Sequence, residues 1–157
     1  ADGPINSIQL KGSNGFNASS NLTYDPHSNI LNIDGRVVTD ALTVTGRTDF
    51  EGFITQNIKT VNEPRYTVHP GDYTILGDTS NHKVTITLPA ACNHKGRIVV
   101  IKKINAQKFK LNSHLLTIDV EEGEIDFKTK IDLKINYSTI TVQSDGKKWW
   151  VIGKTGT

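Results

Sequence analysis

Cys92 is the only cysteine in this chain, which excludes an intrachain disulfide. Methionine is absent altogether, so Ala1 is not a translation start, and the chain is expected to be a processed or excised piece of a longer protein. Long apolar runs are missing too. None exceeds four residues, Ile98-Val99-Val100-Ile101 among them, far short of the ~18 residues that a membrane span requires. No signal-peptide pattern opens the chain, and membrane insertion is not expected. Aromatic residues make up 7% and hydrophobic residues 36%, lean for a monomer that must fill its own core, so part of the burial is expected from neighbouring subunits. Charge of one sign is also scarce. A formal net charge of +2, with lysines scattered along alternating strands, argues against nucleic acid as a partner.

What is present is β-pattern. Apolar residues recur at period two, Thr, Ile and Val dominate, and nothing reads as a helix. Leu31-Asn32-Ile33-Asp34-Gly35 and Leu42-Thr43-Val44-Thr45-Gly46 repeat one pattern eleven residues apart, and Phe50-Glu51-Gly52 closes the series with a further glycine. One such short strand offers only two side chains to a core and becomes stable by stacking on copies of itself. Two copies along the chain are too few, so the partners are expected to be identical chains. Leu31, Ile33, Leu42, Val44 and Phe50 are the expected contacts of that stem.

The chain divides near Asn62-Glu63-Pro64. Residues 1–60 are rich in Asn, Ser and Gly, with short strands expected around Ile5 to Leu10, Leu22 to Tyr24, Ile30 to Ile33 and Ala41 to Val44. Residues 61–157 carry longer strands, near Tyr66 to Val68, Asp72 to Leu76, Lys83 to Leu88, Arg97 to Lys103, Phe109 to Leu111, Leu116 to Val120, Ile131 to Ile135, Thr139 to Ser144 and Trp149 to Ile152. Turn residues separate them at Pro70-Gly71, Gly77 to Asn81, Asn105 to Gln107 and Asp145-Gly146. Many short strands with close turns predict an antiparallel sandwich or barrel. The unbroken Ile-Val-Val-Ile run predicts a central strand covered on both faces.

The order of these pieces carries a resemblance. A Tyr-Thr-Ile strand, an Asp/Ser/Asn turn, a Val-Thr-Ile-Thr-Leu strand and Leu88-Pro89-Ala90-Ala91 lead into Gly96-Arg97-Ile98-Val99-Val100-Ile101-Lys102-Lys103. The chain then ends in Ser144-Asp145-Gly146-Lys147-Lys148-Trp149-Trp150-Val151-Ile152-Gly153. This resembles the terminal head domains of trimeric fibre proteins from tailed bacteriophages, giant DNA viruses and virophages. Ser7-Ile8-Gln9, Ser20 to Asp25 and the glycine-closed repeats look like the shaft segments that precede such heads. The resemblance implies an all-β chain: an antiparallel, jelly-roll-like β-sandwich head over residues 61–157, preceded by a short repetitive β stem over residues 1–60. It further implies a parallel homotrimer at the virion surface, a fibre tip attaching to a host-cell glycan or receptor. A structural trimerisation cap that binds nothing, and a carbohydrate-active depolymerase, are the alternatives.

Chemistry-bearing residues are few. Cys92-x-His94 is one metal-capable pair, whereas structural zinc needs two, so no metal and no cofactor are expected. Glu121-Glu122-Gly123-Glu124-Ile125-Asp126 crowds its carboxylates into one turn, while glycoside hydrolysis needs two facing across a cleft, so no enzyme is expected. The Asn17, Asn21 and Asn136 sequons are cheap matches in an Asn-rich chain. Lys102-Lys103 and Lys147-Lys148 read as solubilising charge at strand ends. Trp149 and Trp150 are adjacent on a strand and must face opposite ways; the outward one packs between subunits or meets a ligand. Loop residues Asp78, Asn81, His82, His94, Lys95, Gln107, Lys108, Glu121 and Glu122, together with Trp150, are the candidates for receptor contact.

Overall fold

The computed structural model describes residues 7–12, 15–105 and 114–156, with residues 7–12 and 15–20 described by backbone alone. The fold is all-β: no α-helix occurs among the described residues, and one 3-10 turn spans Ala91–Asn93. Two compact units divide at 51/52. The sequence pattern places the division at 60/61; the second unit starts earlier because residues 58–61 pair as a strand of its sheet.

In the first unit, β1 (Ser7–Gly12), β2 (Gly15–Asp25) and β3 (Ile30–Ile33) form an antiparallel sheet in chain order. The β2–β3 turn is held by Asp25, whose carboxylate accepts from the His27 amide at 3.0 Å and the Ser28 hydroxyl at 2.6 Å. No side chain among residues 21–51 is buried. After Asp34 the ladder stops, and the strand expected at Ala41 to Val44 does not form within the chain. Alternation alone cannot hold a strand that has no neighbour to accept its hydrogen bonds.

The second unit contains β4 (Ile58–Val61), β5 (Arg65–Thr67), β6 (Thr74–Asp78), β7 (Val84–Leu88), β8 (Ile98–Ile104), β9 (Leu116–Val120), β10 (Lys130–Leu133), β11 (Thr139–Ser144) and β12 (Trp149–Thr155). Successive strands alternate between two sheets. β4, β6 and β8 run parallel in one, and β5, β7 and β9 run parallel in the other, so the chain winds as a flattened coil. Only then does it turn back: β10 pairs antiparallel with β9, β11 with β8, and β12 with β11. The sheets read β10-β9-β7-β5 and β12-β11-β8-β6-β4. The expected antiparallel pairing is therefore corrected to mixed pairing. Period-two alternation is the same in a parallel and an antiparallel strand, and only the connections differ.

One core lies between the sheets. Ile75, Val99, Ile101, Ile140, Val142 and Trp149 from the five-stranded sheet meet Val84, Ile86, Leu88, Leu116, Ile118 and Leu133 from the four-stranded one. Burial alternates along β6, β7, β8 and β11, as a half-buried pleat requires. The sheets touch at Gly77, where a Cβ would sit 2.6 Å from Leu116 Cδ1. β8 is the middle strand of its sheet, but its outward residues Ile98, Val100 and Ile104 are only half-buried, so the described residues do not fully cover that second face. Lys103 departs from the expected solubilising role. It points inward, is fully buried, and donates from Nζ to the Lys134 carbonyl at 2.6 Å. Burial pushes its ammonium below the usual lysine value.

Candidate binding surfaces

Parallel winding sorts the loops of the second unit to two ends. At one end, the β6–β7 turn meets the segment after β8: the Thr79 amide donates to the Ile104 carbonyl at 3.0 Å, and the His114 amide to the Thr79 carbonyl at 3.2 Å. Asp78, Asn81 and His82 all lie here. Asp78 accepts from the Ser80 amide at 3.0 Å and from the Ser80 hydroxyl, so its carboxylate closes the turn. His82 sits on the outside with Nδ1 3.0 Å from the Lys83 carbonyl. Gln107 and Lys108 lie outside the described residues.

The other end gathers three loops that are far apart in sequence. The Gly96 amide donates to the Ser144 carbonyl at 2.8 Å, and the Ser144 hydroxyl to the Ala91 carbonyl at 3.0 Å. Glu122 and Gly123 share a hollow of about 140 Å³ with Cys92 and Lys147. Glu122 and Lys95 are therefore neighbours of the Asp145–Lys148 hairpin, with His94 and Glu121 beside them in sequence. His94 Nδ1 lies 3.0 Å from the Ala90 carbonyl. Among the described residues no three His, Cys, Asp or Glu side chains are placed to hold a metal. The chain enters the unit at this same end, because Gln56 lines a groove with Gly71, Tyr73, Gly96 and Arg97. Arg97 Nη2 donates to the His69 and Asp72 carbonyls, Nη1 is buried without a partner, and desolvation lowers the guanidinium pKa.

The two tryptophans divide as adjacent strand residues must. Trp149 is fully buried, and its Nε1 donates to the buried Pro89 carbonyl at 2.9 Å. Trp150 faces outward, with Nε1 donating to Asp145 Oδ2 at 2.7 Å. That bond, followed by the Lys148 and Lys147 amides, holds the Asp145 carboxyl at about 2. Phe127 meets Trp150 edge-on at 5.5 Å, and Lys148 Nζ lies 3.9 Å from the Phe127 ring centre. Asp126 and Phe127 both adopt positive φ, in a tight turn closed by hydrogen bonds in each direction between Ile125 and Lys128. A bulky residue in that region is strained, and Asp126 holds it there by accepting from the Val151 amide at 3.0 Å. Phe127 remains 69% exposed. Sequence reading passed over Phe127 and Asp145; an aromatic residue inside a charged turn was the available signal. No protein-family model matches the chain, and no curated protein matches it.

Proposed function

We propose that this chain is the stem and head of a homotrimeric viral fibre, and that the head attaches the particle to a glycan or receptor on the host-cell surface. One observation carries the reading. Residues 35–56 form no backbone hydrogen bond with the rest of the described chain, yet they expose Val37, Val38, Leu42, Val44, Phe50, Phe53 and Ile54. Unpaired backbone and unburied apolar side chains call for further strands, and the glycine-closed repeat suits identical copies running side by side. Three copies follow from the resemblance to trimeric fibre heads.

Attachment suits a head with shallow hollows and no converging nucleophile, base or metal ligands among its described residues. Three equivalent weak contacts per head, multiplied over several heads, give firm adhesion through effective concentration. The end of the sandwich opposite Gln56, with Asn81 and His82, is the proposed host-facing end; Trp150 and Phe127 belong to the other. Light scattering on a sizing column should report three chains per particle, and a glycan array probed with that particle should show saturable binding. A stable monomer at high concentration would end the trimer reading. A trimer that binds no glycan and no cell surface would leave a structural cap, and release of reducing sugar from host polysaccharide would leave a depolymerase.

A further inference from the structure

The two outer faces of the second unit differ in kind. On the four-stranded sheet, the registered rows are Asp132–Thr117–Thr85–Arg65 and Lys130–Asp119–Thr87–Thr67, every residue polar. On the five-stranded sheet, the central row runs Gly153–Thr141–Val100–Thr74–Ile58, with Ile152 bulged beside it. Its flanking rows add Trp150 with Ile98, and Leu76 beside Lys102, which is the single charge in the three rows. Threonine is common to both faces, and what separates them is the apolar set on one alone. A sandwich whose one outer face is polar and meets water has no need of an apolar outer face on its opposite sheet unless that face is covered.

We infer that the outer face of the five-stranded sheet is where copies of this chain meet, so that Ile58, Leu76, Ile98, Val100, Trp150 and Ile152 are buried between heads. The inference rests on the trimer reading and names its interface. Three features point to a second copy as the occupant. The exposed apolar residues of the preceding segment, Phe50, Phe53 and Ile54, continue in sequence into Ile58, which is 63% exposed at the outer edge of this face. The face carries only Lys102 and, in the next row, Asp78 beside Ile104, so such faces meet with little repulsion, whereas copies of the other face would set Arg65, Lys130 and the aspartates against their like. The size also suffices. Five strands about 4.8 Å apart and seven residues of β8 at about 3.3 Å each give on the order of 500 Å² per copy. Around a threefold axis each copy shares that face between two neighbours, and the three together bury about 1,500 Å².

The test uses the full chain with Cys92→Ser, carrying Thr141→Cys at the centre of the apolar face or Thr87→Cys at the centre of the polar one. Assembled protein is labelled with a maleimide while its mass is followed by light scattering. The expected result is at least tenfold slower labelling at Thr141→Cys than at Thr87→Cys, with the difference lost on dilution to monomer. Loss of assembly in Thr141→Cys alone would support the same placement. Equal rates at both positions in an intact multimer, or slow labelling at both, would overturn this interface and leave the trimer standing. A parent chain that is monomeric at every concentration would overturn the trimer and the interface together.

Discussion

Replacing each tryptophan in turn separates the inside of the sandwich from its outside by a single residue step. Trp149 is fully buried and satisfies the buried Pro89 carbonyl. Removing its ring costs about 3–5 kcal/mol for transfer and cavity. Leaving that carbonyl without a donor adds about 1–2 kcal/mol. Trp149→Ala should therefore lose about 4–7 kcal/mol, a large share of the roughly 5–15 kcal/mol that holds a domain together. Trp150→Ala loses the edge contact with Phe127 and a hydrogen bond to an exposed carboxylate, about 1 kcal/mol for the unassembled chain. Urea unfolding followed by far-ultraviolet circular dichroism, at several protein concentrations, reads both effects. Trp149→Ala should show its deficit of about 4–7 kcal/mol at every concentration. The deficit of Trp150→Ala should be small at low concentration and should grow as the parent assembles, because only then is its face covered. Equal losses in the two variants, or a tolerated Trp149→Ala, would refute the assignment of faces and the core built on it.

Acid should reach Asp145 late. Its folded carboxyl lies at about 2, below the ordinary ~3.9, so its contribution is present above the unfolded value and is lost as pH falls through about 2. The tryptophan-emission change that Asp145→Asn abolishes should have its midpoint near 2, and a midpoint near 4 would contradict the bond from Trp150. Lys103 titrates in the opposite sense. Its folded value is depressed, the unfolded chain binds more protons in the window below the ordinary lysine value, and stability should rise with pH across that window. Lys103→Met should flatten the rise and raise stability at neutral pH by about 1 kcal/mol, as removal of a buried charge does; urea midpoints between neutral and alkaline pH check it, and an unchanged slope would count against burial of the ammonium. At Gly77, valine would press on Leu116 and should cost about 1–3 kcal/mol. Leu116→Ala made together with Gly77→Val should cost less than the two single losses combined, and strict additivity would deny the contact.

Alternation made the strands of the second unit readable from sequence. Leu116 to Val120 and Thr139 to Ser144 form where the pattern puts them, and β7 begins one residue inside the expected Lys83 to Leu88. What alternation could not carry was direction, since β6 and β8 would show the same pattern paired either way; the direction is set by the arcs that carry the chain across to the other sheet and back. β4 was missed because four residues beside a Pro-containing boundary carry too little pattern to stand out. The Ile-Val-Val-Ile run was read as a strand covered on both faces. The central position is there, while full cover on the second face is not supplied by the described residues. Lys103 was misread because a charged residue near a strand end usually reaches water, and only tertiary register turns this one inward. The Phe127–Trp150 platform needed a turn at 125–128 to fold back on β12, a long-range event that no local pattern announces.

The repeat that calls for partners also endangers their alignment. Leu31-Asn32-Ile33-Asp34-Gly35 and Leu42-Thr43-Val44-Thr45-Gly46 present the same apolar spacing, so a chain displaced by eleven residues would match its neighbour almost as well as one in register. Among the described residues, no backbone hydrogen bond ties residues 35–56 to the rest of the chain. In the proposed trimer such a stem could not by itself set the offset of its copies. If heads meet through the proposed face, which begins at Ile58 only a few residues after the repeat ends, displaced pairings are removed because they would pull the heads out of contact. In the proposed trimer the head would do two jobs with two kinds of surface: one face would set the register of the stem, and the loops at the far end would be left for contact with a receptor.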